Sequence, residues 1–324
     1  MASVYKAYDT RLDRYVAVKV IISSQLSSDT FLKRFEREAK ALAKLNHPNI
    51  VNIHDYGEDH GIPYLVMEYL EGQVLSERLK DGQPLPLNQV VEILRPLAEA
   101  LDYAHGRGLV HRDVKPSNVI LCEDGKRPVL TDFGLVKSMT ESGLTTTGVS
   151  LGTVEYMAPE QITGQTVGPA SDLYALGVIA YQMLTGRVPF TGRTPFEIQM
   201  GHVQQQPPPP RTLNPAMPEA LARVLLRALA KNPFQRYSSG AELVAALAQF
   251  PSKPVMPVSQ PRPVSSPVHR PSAPVAGASR LASQPAVTRI DQPVNQSRPV
   301  VQPPVGQKNT TGMLLILGIG LTIS

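Results

Sequence analysis

The 324-residue sequence predicts an α+β fold followed by a disordered tail, on three observations. Strand-like apolar runs fall within the first seventy residues. Helical periodicity dominates from there to about residue 250. Beyond that point proline takes over, with thirteen of the chain's 31 prolines between Pro251 and Gly312.

In chain order, Tyr15 to Ile22 reads YVAVKVII, a β-rich run. Ala17, Lys19 and Ile21 share one face and Val16, Val18 and Val20 the other. A lysine in such a run is costly unless its charge is used. A helix is predicted from Asp29, because Phe31, Phe35, Glu38, Leu42 and Leu45 fall on one stripe at helical spacing. Glu38 is a carboxylate on that apolar stripe, so it invites a pair with Lys19, which from these residues alone reads equally well as a general structural salt bridge. Tyr64 to Leu70, YLVMEYL, is a second strand-like run, ending at Glu71-Gly72 in a turn toward a helical region. Pro86 to Gly106 is helical in pattern. A later helix, SDLYALGVIAYQMLTG, is apolar nearly all round and therefore buried, with Asp172 at its start.

The totals narrow the function. An apolar content of 42% is enough for a substantial core. The single cysteine, Cys122, excludes an internal disulfide and a cysteine-based metal site. Between Pro251 and Gly312 stand seven Lys/Arg and one acid, Asp291, so this stretch carries +6 where the whole chain carries +5. The positive charge thus belongs to a linker and not to a folded face, and nucleic-acid binding is not predicted. Residues 251–312 lack the apolar content to offset the entropy of ordering, and they read as a disordered basic linker, extended where prolines cluster. A ligand for Pro-binding domains is the alternative reading of that segment. Residues 313–323, MLLILGIGLTI, form an uncharged apolar run. It is shorter than the roughly 20 residues a span needs. It reads as the start of a transmembrane helix cut short at Ser324, with the basic flank and residues 1–250 on the cytoplasmic side; a short sticky tail is the alternative.

The strongest segment is HRDVKPSNVIL, His111 to Leu121. Asp113, Lys115 and Asn118 place three polar groups immediately before an apolar strand. VLTDFGL, 129–135, puts Asp132 after another short strand, and GTVEYMAPE occupies 152–160. A lysine in a strand, a glutamate on a helix, HRDVKPSN, DFG and APE, in that order, resemble the protein-kinase family over residues 1 to about 250. Within it the chain is most similar to bacterial eukaryotic-like serine/threonine kinases of the transmembrane receptor type.

That resemblance implies a bilobal protein kinase fold: a small antiparallel-sheet lobe with one main helix, 1–70, and a large, mostly helical lobe, 71–250, with the nucleotide between them. It implies a non-specific serine/threonine protein kinase using ATP with Mg²⁺ or Mn²⁺. Lys19, oriented by Glu38, would hold the α/β-phosphates; Asn118 and Asp132 would hold the metal. Asp113 would accept the substrate hydroxyl proton and Lys115 would stabilise the transferred group. Val4, Ala17, Met67 and Leu121 would surround the nucleotide, with backbone groups of Glu68 and Leu70 on the adenine edge. Thr153 would shape the acceptor site, and Lys115 with Gly152-Thr153 favours serine or threonine over tyrosine. Thr145 and Thr147 would be autophosphorylated and face Arg112. Asp172 would cap amides of the catalytic loop, and Glu160 would pair with Arg236. His111 is expected to be a satisfied core histidine and Cys122 inert. Protein substrates bearing Ser/Thr, the membrane and a second copy of the chain are the implied partners.

One departure stands out. The family's glycine-rich loop, GxGxxGxV, should lie in the first strand pair, and the chain begins MASVYKAYD. Val4 matches the loop's valine and Ala2 the third glycine's place; the first two glycines are absent. Truncation at this end is the expectation, with weak ATP binding and a poorly folding small lobe as its consequence, since glycine permits the close approach of backbone to phosphate. A kinase-like membrane scaffold is the alternative. Lys19, Asp113 and Asp132, whose loss marks such a scaffold, are all present.

Overall fold

A computed structural model describes residues 2–22, 29–134 and 154–250. Thr145, Thr147, Thr153, the linker and the 313–323 run lie outside the described residues.

The first lobe is a four-stranded sheet with one long helix. Strands β1 (Ala2–Asp9), β2 (Arg14–Ile21), β3 (Ile53–Asp59) and β4 (Ile62–Glu68) assemble in the order β1-β2-β4-β3, every neighbour antiparallel. The turn joining β1 to β2 is held by the Asp9 carboxylate, which accepts the Arg11 and Leu12 amides at 3.1 and 3.2 Å. The β3–β4 turn uses His60 and Gly61, both at positive φ, the geometry that lets a two-residue hairpin follow the twist of its strands. Helix α1 (Asp29–Leu42) buries Phe31, Phe35 and Leu42, with Leu45 just beyond its end, so the apolar stripe in the sequence is the packed face. Glu38 is half-buried on that same stripe.

The register sets the cleft-facing side chains. Val4 lies opposite Lys19, Lys19 opposite Leu65, and Ala17 between Lys6 and Met67. Directly opposed residues share a face of the sheet. Val4, Ala17, Lys19 and Met67 therefore stand on one side.

The second lobe opens with β5 (Gly72–Val74) and α2 (Leu75–Arg78), followed by α3 (Leu87–His105). A single 3-10 turn, Pro116–Asn118, leads into β6 (Val119–Cys122) and β7 (Arg127–Leu130), which with β5 form a three-stranded antiparallel sheet. The sequence pattern showed only a turn at Glu71-Gly72, because three residues are too few for periodicity to register. Gly72 fits there for a steric reason: a Cβ would meet the Leu121 carbonyl oxygen at 2.3 Å. Helices α4 (Pro159–Ile162), α5 (Pro169–Thr185), α6 (Pro195–Gln204), α7 (Pro210–Leu213), α8 (Glu219–Ala228) and α9 (Gly240–Ala248) complete the lobe. Helix α5 starts at Pro169, ahead of Asp172, because proline at the first helical position has φ already set and no amide to waste. Nearly all of it is buried. At Gly177 it presses on α8, where an added Cβ would lie 2.8 Å from the Ala228 methyl.

One hydrophobic cluster runs through both lobes, from Ile21, Phe35 and Leu65 to Leu101, Tyr174 and Leu247. The segment before β3 also bonds directly to β7, with Val51 N–H donating to the Leu130 carbonyl at 3.0 Å and Leu130 N–H to the Asn49 carbonyl at 2.8 Å.

Candidate active site

The catalytic loop lies between α3 and β6, and the amides of its residues 111–113 are all hydrogen-bonded to side chains. Asp172, 1% exposed at the start of α5, accepts the His111 amide on Oδ2 and the Arg112 amide on Oδ1, both at 2.8 Å. His105, the last residue of α3, brings Nε2 to 2.8 Å from the same Oδ2. His111 is fully buried against Phe133, ring centroids 4.4 Å apart. Its Nδ1 accepts the Asp113 amide at 3.2 Å, so the ring proton sits on Nε2, which donates to the Thr131 carbonyl at 2.9 Å. Burial holds this imidazole neutral, pushing its pKa below the usual histidine value against the pull of Asp172.

On this frame Asp113 faces its two polar neighbours. Lys115 Nζ lies 2.9 Å from Asp113 Oδ2. Asn118 Nδ2 donates to the Asp113 carbonyl at 2.8 Å and to Oδ2 at 3.1 Å. Asn118 is 5% exposed and sits in the 3-10 turn that launches β6, so the strand positions it. Arg112 and Asp132 both have left-handed backbone, φ 65° and 58°. Non-glycine residues take this conformation where the surroundings over-determine it, often at functional sites.

Lys19 comes from the other lobe. Its Nζ lies 2.8 Å from Asp132 Oδ1, with 12% of the lysine side chain and 34% of the aspartate exposed. The carboxylate paired with Lys19 among the described contacts is thus Asp132, 113 residues along the chain, whereas the sequence pattern points to Glu38. A small cavity lies at this junction, lined by Lys19, Leu42, Leu65, Met67, Asp132 and Phe133 among others. Met67 and Leu121 are buried and Ala17 and Leu70 half-buried, while Val4 is 55% exposed on β1. The Glu68 amide donates to the Asn52 carbonyl at 2.9 Å. Cys122 packs with Val51, Met67 and Val129, and burial pushes its thiol pKa up, which keeps it unreactive.

Apolar walls beside a paired ammonium and carboxylate suit a nucleotide triphosphate. Asp132 offers a carboxylate, and Asn118 offers an amide oxygen, its nitrogen being committed to Asp113. These are hard oxygen donors. Among the described residues no three His, Cys, Asp or Glu gather into a metal site of their own. Two protein ligands complemented by phosphate and water oxygens are the arrangement that suits a cation such as Mg²⁺.

Below the cleft, Glu160 and Arg236 form a buried bidentate pair, Nη1 to Oε1 at 2.7 Å and Nη2 to Oε2 at 2.8 Å. The guanidinium also donates to the carbonyls of Ala230, Ala170 and Lys231, so all five of its N–H groups are used. Ser171 Oγ donates to Glu160 at 2.7 Å. Burial alone would raise the Glu160 pKa; Arg236 and Ser171 outweigh it, and the net shift is downward.

Two arrangements had no sequence signal. Gln161, half-buried on α4, bonds the catalytic loop through its side chain. Lys6 Nζ lies 4.2 Å from the ring centroids of both Tyr15 and Tyr69, bridging the first hairpin to the connection between lobes. Neither pattern is periodic, and each needs residues brought together only by the fold.

A family model for the protein kinase domain matches residues 1–248. The serine/threonine-protein kinase PrkC of Bacillus subtilis is 39% identical over 245 residues, which cover 76% of this chain and 38% of PrkC. PknA of Mycobacterium tuberculosis, also a serine/threonine-protein kinase, is 39% identical over 302 residues, covering 90% of this chain and 69% of PknA. The crystal structure of the M. tuberculosis PknI kinase domain superimposes with a TM-score of 0.62 at 33% identity, covering 77% of this chain and 91% of that one. Rad53 in complex with AMP-PNP gives a TM-score of 0.62 at 29% identity, covering 75% and 60%. The chain therefore belongs to the protein kinase family and has its fold, a sheet lobe and a helical lobe. Within the family its curated relatives place it among the bacterial serine/threonine protein kinases. It spans under half the length of PrkC and of other curated relatives it matches.

Proposed function

We propose that this chain transfers the γ-phosphate of ATP to serine or threonine hydroxyls of proteins, with Mg²⁺ or Mn²⁺ bound by Asn118 and Asp132. The observation that carries the reading is the convergence of two polar centres. Asp113 is within 3.1 Å of both Lys115 and Asn118, and Asp132 is paired with Lys19 across the cleft. Asp113 orients the acceptor hydroxyl and takes its proton as the oxygen bonds to the γ-phosphorus and the bond to the β-phosphate oxygen breaks. Lys115 balances the charge on the moving phosphoryl group, and Lys19 fixes the α- and β-phosphates. The cation neutralises phosphate charge when bound. Such positioning and charge neutralisation is what phosphoryl transfer asks of a protein. AMP-PNP in the Rad53 complex supports ATP as the donor. A scaffold without activity is not favoured, because Lys19, Asp113 and Asp132 are all in place.

The test is transfer of labelled γ-phosphate to a generic basic protein, with Asp113→Asn as control. Removing a general base lowers rate by about 10²–10⁴-fold. Equal transfer by wild type and variant would sink the proposal.

Two further readings belong with this one. Thr145 and Thr147 are proposed autophosphorylation sites paired with Arg112, readable as added mass in wild-type protein that is missing from Asp113→Asn. The 313–323 run, with its basic flank, is proposed to tether the kinase to the cytoplasmic face of the membrane. Among the described residues no helix is long and apolar enough to cross one. Membrane fractionation of full-length chain beside a version ending at residue 312 tests the tether.

A further inference from the structure

The two peptide units flanking Arg112 are hydrogen-bonded on both sides. In the first, the His111 carbonyl accepts the Gly134 amide at 2.9 Å and the Arg112 amide is taken by Asp172. In the second, the Asp113 amide goes to His111 Nδ1, and the Arg112 carbonyl accepts Gln161 Nε2 at 3.0 Å. The second unit is the plane from which the Asp113 side chain projects. It follows a residue held at φ 65°, a backbone state that relaxes unless it is restrained. Gln161 is the one restraint of these four that comes from α4, the helix that follows the 154–158 segment.

The Gln161 amide has its orientation fixed by chemistry. Its Oε1 accepts the Ala158 amide at 2.9 Å, and its Nε2 donates to the Arg112 carbonyl. Turning the amide over would set a donor against a donor and an acceptor against an acceptor.

We propose that Gln161 is a positioning residue for phosphoryl transfer: by holding the Arg112–Asp113 peptide plane it aims the Asp113 carboxylate, and it couples the start of α4 to the catalytic loop. The proposal rests on the kinase reading above. Gln161 touches no reacting atom, and its action is through Asp113.

Its two bonds can be separated by substitution. Gln161→Glu keeps an acceptor for the Ala158 amide and removes the donor to the Arg112 carbonyl. Gln161→Met removes both and adds no charge. With full-length protein, kcat, the KM for ATP and the melting temperature would be measured for wild type and both variants. The expected result is a fall in kcat of about tenfold or more in both, since small misplacements of catalytic groups cost that much. KM for ATP stays within twofold because Lys19, Ala17 and Met67 are untouched, and in both variants the fall in kcat exceeds any fall in the folded fraction. A Gln161→Glu kcat within twofold of wild type would overturn the proposal, as would a loss that follows the folded fraction in both variants. Wild-type protein that transfers no phosphate would instead overturn the kinase reading.

Discussion

Glu160 and Arg236, in the large lobe, are 3% and 0% exposed and use every hydrogen-bonding group they have. Lys19, in the small lobe, has Asp132 as its described partner, and that partner is a third exposed and belongs to the other lobe. The same contrast recurs around them. The large lobe fixes His111, Arg112 and Asp113 with bonds to buried groups, whereas the small lobe presents β1 at the margin of its sheet with Val4, Tyr5 and Tyr8 at least half exposed. The large lobe holds its catalytic loop through its own buried groups. The small lobe supplies a charge whose usefulness depends on where the lobe sits.

The comparison can be broken most forcefully at Arg236. Arg236→Ala leaves Glu160 buried without its partner, and such a change costs about 3–5 kcal/mol. Denaturant unfolding should show it as a lowered midpoint, and a loss under about 1 kcal/mol would mean that the buried pair does little to hold the large lobe together. Lys19→Met should behave the opposite way. We expect phosphate transfer to fall about a hundredfold, the scale for removing one preorganised electrostatic donor, with the unfolding midpoint almost unmoved. Equal losses of stability in the two variants would erase the distinction between lobes.

Acid sharpens the same contrast. The pKa values of Glu160 and His111 are both depressed in the fold. The folded state then binds fewer protons than the unfolded chain, so the stability these groups contribute is present at higher pH and lost as pH falls. The loss begins below the ordinary histidine value of about 6.5 for His111 and below about 4.3 for Glu160. Melting curves between pH 8 and 4 should therefore decline, and His111→Gln should flatten the upper part of the decline. The smallest expected effect is at Lys6. Lys6→Ala removes the contact with Tyr15 and Tyr69 and should lower the melting temperature by about 2 °C, the scale of an exposed cation–π contact in a domain of this size.

Much of this was legible in the sequence. Sequence pattern located β2, α1, β4, α3 and α5 to within three residues at their starts. The burial of Asp172 followed from a helix apolar on all sides. Asp113, Lys115 and Asn118 were legible because they fall within six residues of sequence, in a segment that resembles the kinase family's motif. Two contacts across the fold, Glu160 with Arg236 and Asp172 with the catalytic-loop amides, were expected only through the family resemblance, and others were not legible at all. Lys19 meets Asp132 and Gln161 meets Arg112 through loops that no local pattern describes. For the same reason β5, three residues long, was invisible until β6 stood beside it.

Helix α5 carries Asp172 near one end and Gly177 a turn and a half further on, where the backbone touches α8 with no room for a methyl group. The catalytic loop hangs from Asp172, so whatever displaces this helix displaces the loop. In a genetic screen for silent alleles of this protein, changes at Gly177 would turn up beside those at Asp113 and Lys19. A map drawn from such alleles would mark as functional a residue that meets neither nucleotide nor substrate.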